Sequence, residues 1–509
     1  MLTLVFQEWQ LLKANKVYWC CLVLLGFLTG GAFLFGCHRA SQSFSQDKRF
    51  KSEQFELQLL VAEAVKDQAN REGPREMRRA KMEGPAIDLE QLFQRELNDI
   101  EKGRFRVLWN FSTGRFAVYH LPWRTWKPPA ILEEVTIGES LYWPKQYLLD
   151  RTRQGKTLTS SSVSNPFRSM IGTFDVSTLV LVVLPLFMIL LLFDLVSRDR
   201  EHGMMQLIES QGIPYPKLIA VRMFLRCLGI AVSVNSILCV CVIASRYASL
   251  DITIVLFTAL LVLGIGCYVL FWGTLAWMIN AIGMQSVTNA LILLLFWIVY
   301  VAIVPLALFE MTARSYPVIP MSSLAAKEIE IRQKLREERD QKTAESQSQR
   351  QSSNSTPIRK TEEEQIRNIL RELRPQRELI SLEIDNVVRG YQQRGKALTR
   401  LFPISPLMSM QNSFELVAGN SLSQYIDFVR QTKNFQKSFL THFQELPHSR
   451  TSLGLEDIEH MPKYQPVPMR DSLSWRPFGF NILILVTWST MQFILGCCAF
   501  RYRLLLKSQ

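Results

Sequence analysis

The feature that most constrains this chain is a set of six apolar stretches that carry almost no charge. As helices of about 20 residues, such stretches are long enough to cross a hydrocarbon core of about 30 Å. Each is apolar around its whole circumference, as a lipid-facing helix must be. The predicted spans are residues 17–37, 174–193, 225–244, 252–278, 287–309 and 480–500. The sequence therefore predicts a mainly α, polytopic membrane protein and excludes a soluble enzyme.

Two long polar segments separate these spans, at residues 38–173 and 310–479. The mean hydropathy of +0.07 conceals this division, because it averages very apolar and very polar blocks. Both segments carry helix-like spacing of apolar residues between charges. We expect two large, mostly helical insertions, which excludes a bare channel made only of membrane spans.

Basic residues beside the spans predict the orientation. The positive-inside rule places the flanking Lys and Arg residues on the cytoplasmic side. These residues are Lys13, Lys16, Arg198, Arg200, Lys217, Arg222, Arg501, Arg503 and Lys507. Residues 1–16, 194–224 and 501–509 are then cytoplasmic, as are both termini. Both insertions are then extracytoplasmic. The net charge of +13 divides between cytoplasmic anchors and solvated helices, and does not indicate nucleic-acid binding.

The first insertion contains a predicted β-hairpin at residues 104–123, two short strands about a Ser-Thr-Gly turn. A stretch rich in Trp and Pro follows it, with Trp123, Trp126, Pro128, Pro129, Trp143 and Pro144. Tryptophan favours the membrane–water interface, so this stretch is explained by contact with lipid headgroups. A small aromatic core explains it equally well.

The second insertion begins with a predicted helical hairpin at residues 327–393, whose Ser- and Gln-rich tip lies near 345–357. Two shorter helices follow, at 405–420 and 421–446. The last of these is amphipathic, with Tyr425, Phe428, Phe435 and Phe439 at helical intervals. We expect it to pack against the other insertion or the outer leaflet.

Residues 194–224 form the only sizeable cytoplasmic loop, and they mix charged with apolar residues before breaks at Gly212, Pro214 and Pro216. A short helix there would present one charged and one apolar edge, which suits a docking partner. On physical grounds alone, a plain connector on the membrane surface is the simpler interpretation. The chain has no phosphate-binding loop and no Cys/His spacing typical of a metal site, so we expect neither an ATPase nor a metalloenzyme.

The loop resembles the first cytoplasmic loop of type-2 ABC exporter permeases, with Glu201, Gly203, Leu207, Pro214 and Arg222 in the corresponding places. The family usually has Lys where Arg222 stands. "EWQLLKANK" before the first span resembles the family's amphipathic helix that leads into the membrane. Residues 165–203 and 405–431 are similar to a subgroup with large external insertions, which includes permeases labelled for multicopper-enzyme maturation. Residues 320–390 match no motif of the family.

The resemblance implies a permease subunit of the bacterial inner membrane, which pairs with a second permease, identical or similar. A separate cytoplasmic ABC ATPase subunit would bind the ATP and Mg, and this chain would carry no cofactor and no metal. The implied ATPase-coupling residues are Arg198, Arg200, Glu201, Gly203, Met204, Leu207, Pro214 and Arg222.

Pro185 and Pro305 interrupt the hydrogen bonding of two spans and are either hinges or tolerated kinks. Three functions stay open at this stage: export or extraction of a substrate, mechanical action on an external protein, or a membrane scaffold without transport.

Overall fold

The computed structural model describes residues 2–71, 123–138, 143, 145–149, 174–204, 208, 215–246, 251–319, most of 326–344, 362–445, 460, 462–466 and 475–507. Helices dominate these residues, and six of the helices are long and apolar enough to cross a membrane. These six correspond to the six stretches predicted from the sequence. The chain is therefore a helical, multi-pass membrane protein.

The first helices are α1 (Leu2–Ala14) and α2 (Lys16–Arg71). They are separated at Asn15, whose side chain accepts a hydrogen bond from the backbone N–H of Tyr18 at 3.3 Å. Helix α2 continues far beyond the predicted span at 17–37. Its polar half contains pairs four residues apart, such as Arg49–Glu53 and Asp47–Lys51, both at 2.7 Å. Pairs with this spacing favour the helix.

The remaining spans are α3 (Val176–Leu192), α5 (Tyr215–Arg246), α6 (Ile252–Ile282), α7 (Ser286–Ser315) and α11 (Trp475–Lys507). A short helix α4 (Ser197–Glu201) follows α3. Helix α6 lies at the centre and packs against α3, α5, α7 and α11. Its approach to α11 requires glycine, because a Cβ at Gly496 would lie 2.3 Å from the Trp277 ring.

Helices α3 and α7 share an unusual feature, a π-helical segment of five residues just before a proline. The segments are Leu179–Val183 before Pro185 and Val299–Ile303 before Pro305. Proline supplies no N–H and presses on the carbonyl four residues earlier. The wider π turn makes room for the ring, so each predicted hinge proline stands at a real irregularity of its helix.

A lobe built from both insertions packs against the polar half of α2. It contains an antiparallel hairpin of β1 (Trp123–Trp126) and β2 (Gln146–Leu149), with Trp126 opposite Gln146. It also contains α8 (Glu362–Leu401) and α10 (Leu422–Glu445). The core of this insertion lobe is aromatic and includes Trp126, Trp143, Tyr147, Tyr425, Phe428, Phe435, Phe439 and Tyr464. The aromatic face of α10 therefore packs against the first insertion, as one of the two sequence-based alternatives expected.

Two other sequence-based expectations concern the Trp-rich stretch and the β-hairpin of the first insertion. Trp126 and Trp143 are only 2% and 5% exposed, so they form a protein core rather than facing lipid headgroups. The observed hairpin lies in this Trp-rich stretch. The hairpin predicted at 104–123 lies outside the described residues except for Trp123, as does the predicted helical tip at 345–357.

Helix α9 (Pro406–Ala418) follows α8 after a 3-10 turn at Phe402–Ile404. Sequence analysis places this helix in the second insertion, yet it packs against α6 and α11, and its Met410 and Phe414 belong to the core of the spans. Its one polar edge carries Gln411 and Glu415, which are hydrogen-bonded at 3.1 Å. Helix α9 is thus part of the membrane bundle although it is too short to cross it.

Residues 130–137, here called the junction segment, join the lobe to the spans. Two neighbouring acidic residues of this segment face in different directions. Glu133 is paired with Lys145 beside β2, whereas Glu134 is paired with Arg246 at the end of α5, at 2.5 Å. Gly36 of α2 lies so close that a Cβ there would be 1.7 Å from the Glu134 carbonyl oxygen. The lobe is therefore fastened directly to α2 at Gly36 and to the end of α5 at Arg246.

Candidate functional site

The candidate site lies where α1, α4, the start of α5 and the turn between α6 and α7 meet. We call this part of the molecule the coupling end of the bundle, and the end at the junction segment the lobe end. The rings of Trp277 and Phe500 are in contact there, with centroids 5.0 Å apart, so the C-terminal part of α11 also lies at the coupling end. Both terminal helices are thus at the same end of the bundle as α4.

The bounds of the short helix α4 are determined by the residues that precede and follow it. Helix α3 ends at Leu192, a turn covers Phe193–Val196, and α4 ends where Gly203 adopts a φ of +71°. Side chains disfavour that conformation, so glycine is the residue that lets the chain leave the helix there. No atom crowds Gly203, which makes its role conformational.

Arg222 is the residue that joins three elements at this end. Its Nε lies 2.8 Å from Glu8 Oε1 of α1, and its Nη1 also contacts Asp199 of α4. The side chain of Arg222 is only 15% exposed, so these charges are largely withdrawn from water. Removing one partner of such a buried group costs about 3–5 kcal/mol, because a charge is left uncompensated. Arg222 thus braces α4 from inside and is not a surface contact.

Arg226, one turn further along α5, binds the end of α3. It donates to the carbonyl oxygen of Leu191 and lies 3.2 Å from Asp194 Oδ1. A cation at this position is favoured because the last carbonyls of a helix carry partial negative charge. Arg226 therefore fixes α3 to α5 beside α4.

Glu201 and Arg200 attach α4 to the turn between α6 and α7. The Glu201 carboxylate accepts from the backbone N–H of Ser286 at 2.8 Å and from its hydroxyl at 2.9 Å. Arg200 donates to the carbonyl oxygen of Gly283. Because Ser286 is the first residue of α7, Glu201 stabilises the start of that helix as an acceptor for its N-terminal N–H groups.

A pair of asparagines lies just beneath, between α3, α6 and α7. Asn280, which is fully buried, donates to the carbonyl oxygen of Leu192 at 3.0 Å and accepts from the Val196 N–H at 3.4 Å. Asn289 donates to Asn280 Oδ1 at 3.2 Å. Buried amides of this kind are interhelical hydrogen-bond partners. They hold the C-terminal end of α3 in place above α4.

The structure thus divides the predicted coupling residues into two groups. Arg200, Glu201 and Arg222 bind α4 to its neighbours, while Arg198 and Met204 are exposed, Met204 at 46%. The Arg198 side chain makes a long contact with Asp194, at 3.8 Å. Leu207 and Pro214 lie outside the described residues. Arg198 of α4 and Met204, which lies just beyond the end of α4, form the exposed edge of α4 that remains available to a partner among the described residues.

Sequence analysis missed Glu8, Asp199, Asn280 and Ser286 as members of this site. Their partners lie tens to hundreds of positions away in the chain, and local spacing carries no signal for such pairs. The one available signal was Glu8, an acid in the otherwise largely apolar α1. Within the described parts of the chain, no three His, Cys, Asp or Glu side chains are close enough to hold a metal ion.

Comparison with known proteins gives one match. A family model described as a domain of unknown function, DUF3526, matches residues 321–466. This range includes all of α8, α9 and α10, and therefore lies in the second insertion rather than at the coupling end. No curated protein and no solved structure matches the chain.

Proposed function

We propose that this chain is the membrane-spanning permease subunit of an ATP-driven transporter of the type-2 ABC exporter class. A separate ATP-binding subunit docks on the exposed edge of α4 and hydrolyses the ATP. A second permease, identical or similar, completes the transporter. The chain itself supplies no ATPase chemistry, and its role is to convert the push on α4 into movement of its spans.

The observation that carries this proposal is the attachment of α4. Arg222 links it to α1 and α5, and Glu201 and Arg200 link it to the start of α7 and the end of α6. A helix held only by a flexible loop would yield to a push without moving anything else. Held as it is, α4 passes a displacement to four other helices at once. A plain surface connector has no need of these buried ion pairs, which cost desolvation free energy.

The orientation belongs to the proposal as well. Basic residues concentrate at the coupling end, which the positive-inside rule assigns to the cytoplasm. The coupling end and both termini then face the cytoplasm of a bacterium, and the insertion lobe lies outside its inner membrane. This orientation presents α4 to an ATPase and the lobe to external partners.

Co-purification from native membranes tests the docking. We expect the wild-type chain to retain an ATP-binding subunit in mild detergent, with ATPase activity that the double variant Arg198→Glu, Met204→Asp abolishes. Neither residue braces the fold, so the variant should purify with an unchanged melting temperature. Deleting 199–208 would be a poorer test, because it removes Asp199 and exposes the Arg222 charge.

A matched control is Glu310→Arg, another charge reversal on an exposed helical side chain, here near the other end of α7. It should leave association and ATPase activity intact. If no ATP-binding subunit is retained by the wild type, the chain is a scaffold and the transporter proposal fails. If the wild type, the double variant and Glu310→Arg all retain the ATP-binding subunit equally, the docking site is not the exposed edge of α4.

A further inference from the structure

The route from α8 into α9 enters the span bundle and returns on the same side. The carbonyl oxygen of Pro403 accepts from Trp488 Nε1 at 2.8 Å. Trp488 lies about 18 Å along α11 from Arg476, at about 1.5 Å per residue. A Cβ at Gly264, about as far along α6 from Ile252, would lie 3.1 Å from Met410. The turn and α9 therefore reach the middle of the neighbouring spans.

The backbone of this turn finds hydrogen-bond partners within the protein. The Phe402 carbonyl accepts from the Ser405 N–H at 2.9 Å and from the Ser409 hydroxyl at 3.0 Å. The Ser405 hydroxyl in turn caps α9 by accepting from the Met408 N–H. Irregular backbone at membrane depth is tolerated only where protein supplies such partners. The segment is built as a fixed re-entrant element.

Helix α9 contacts the π segments of both proline-containing spans, α3 and α7. Tyr300 of the α7 segment also contacts Trp488, with ring centroids 6.2 Å apart. Bending at either π segment therefore moves the surface against which α9 packs. Buried helices at native packing density pass such displacements on, because few voids absorb them.

The other end of α9 is bound to the lobe. Gly419 ends the helix with a φ of +82°, and its carbonyl oxygen accepts from Lys127 Nζ at 3.1 Å. Lys127 also donates to Asn420 Oδ1 at 3.1 Å, and Asn420 Nδ2 donates to the Thr136 carbonyl of the junction segment at 2.9 Å. Lys127 lies over the Tyr425 ring at 4.6 Å. Burial lowers the pKa of Lys127 to about 7, because removal from water disfavours the charged ammonium group.

We propose that α9 is a transmission helix, which carries bending at the π segment of α7 to the insertion lobe. The output of the chain is then movement of the lobe against an external protein, rather than passage of a solute along α9. The inference rests on the proposed function for the origin of the movement only. The mechanical link itself is a property of this chain.

A second route leads from α7 through α8 to α10 of the lobe, and it is the alternative to transmission through α9. Arg394 of α8 lies over the Phe309 ring at 4.3 Å, and Asp385 of α8 is paired with Lys433 of α10. The two routes reach α10 through different lysines. Lys127 and Asn420 belong to the route through α9, and Lys433 belongs to the route through α8.

Hydrogen exchange of the full chain in lipid nanodiscs, without any ATPase, separates the two routes. Pro305→Ala stiffens the α7 hinge, and we expect it to slow exchange of the amides of Tyr425–Val429 by about threefold. In an Asn420→Ala background the same substitution should change this exchange by less than about 1.5-fold. In a Lys433→Met background the threefold effect should remain. Lys127→Met removes the hydrogen bonds from the lobe to Gly419 and Asn420. It is the background to use if Asn420→Ala fails to fold.

Two results would overturn the inference. One is a Pro305→Ala effect on the lobe that survives in Asn420→Ala or Lys127→Met but disappears in Lys433→Met, which assigns transmission to α8. The other is a lobe that does not respond to Pro305→Ala at all. Because the measurement needs no ATPase, these results leave the co-purification outcome untouched, and failure of co-purification leaves the measured link intact.

Discussion

Helices α3 and α7 carry the same irregularity in opposite surroundings. In α3, 61% of the most apolar window is buried, whereas in α7 only 11% is buried. The carbonyl four residues before Pro185, that of Leu181, accepts from the Tyr268 hydroxyl at 3.0 Å, and the next carbonyl accepts from Trp297 Nε1 at 3.1 Å. No residue of the α7 segment Val299–Ile303 is buried. Pro185 therefore lies in a buried site whose carbonyls have hydrogen-bond donors, whereas Pro305 follows a π segment with no buried residue.

A proline in a span therefore does not by itself make a hinge. In α3 the neighbours supply the hydrogen bonds that proline removes, so the bend is held at one angle. In α7 the π segment has lipid or a partner on one side, and the bend can change at lower cost. We therefore expect α3 to be the fixed reference of the bundle and α7 to be the helix that bends.

The largest effect should come from removing the anchor of α3. Asn280→Ala deletes a buried amide and leaves the Leu192 carbonyl and the Val196 N–H without their partner. We expect a loss of about 3 kcal/mol, seen as a lower melting temperature in detergent. Asn289→Ala is the matched control and should cost about 1 kcal/mol, because its own bonds are fewer and longer. Equal losses would show that α3 is not held chiefly by Asn280.

A smaller effect should follow from removing a donor at the π segment of α3. Tyr268→Phe leaves the Leu181 carbonyl without the donor that replaces proline, and should cost about 1–2 kcal/mol in the same assay. Tyr300→Phe removes the same atom from the π segment of α7, and should change stability by less than about 0.5 kcal/mol. If Tyr300→Phe is the more costly, the contrast between the two helices is wrong.

The smallest effect should be a gain. Pro305→Ala restores an N–H in α7, where the helical bond can form, and should raise stability by about 1 kcal/mol. Pro185→Ala should gain less, since its new N–H competes with Tyr268 for the Leu181 carbonyl. Thermal unfolding of the two variants side by side measures the difference, and a larger gain at position 185 would reverse the assignment of the flexible helix.

The spans, their number and the two prolines that interrupt them could be predicted from sequence, because each is a local property of composition. The loop that contains α4 could also be found by its charge pattern. The partners of Arg222 could not, since Glu8 and Asp199 lie 214 and 23 positions away and no periodicity links them. The re-entry of α9 was also hidden. Serine is mostly exposed in proteins, yet Ser409 and Ser413 are buried and donate to backbone carbonyls.

The most direct test of the account places a photo-crosslinking residue at position 204 of the full chain in its native membrane. Met204 is exposed just beyond the end of α4, whereas Glu310, the control position, lies near the far end of α7. We expect illumination to join position 204, and not position 310, to an ATP-binding subunit, with the adduct lost in Arg198→Glu. Absence of any such adduct at position 204, or equal adducts at both positions, would contradict the assignment of α4 as the ATPase-coupling helix.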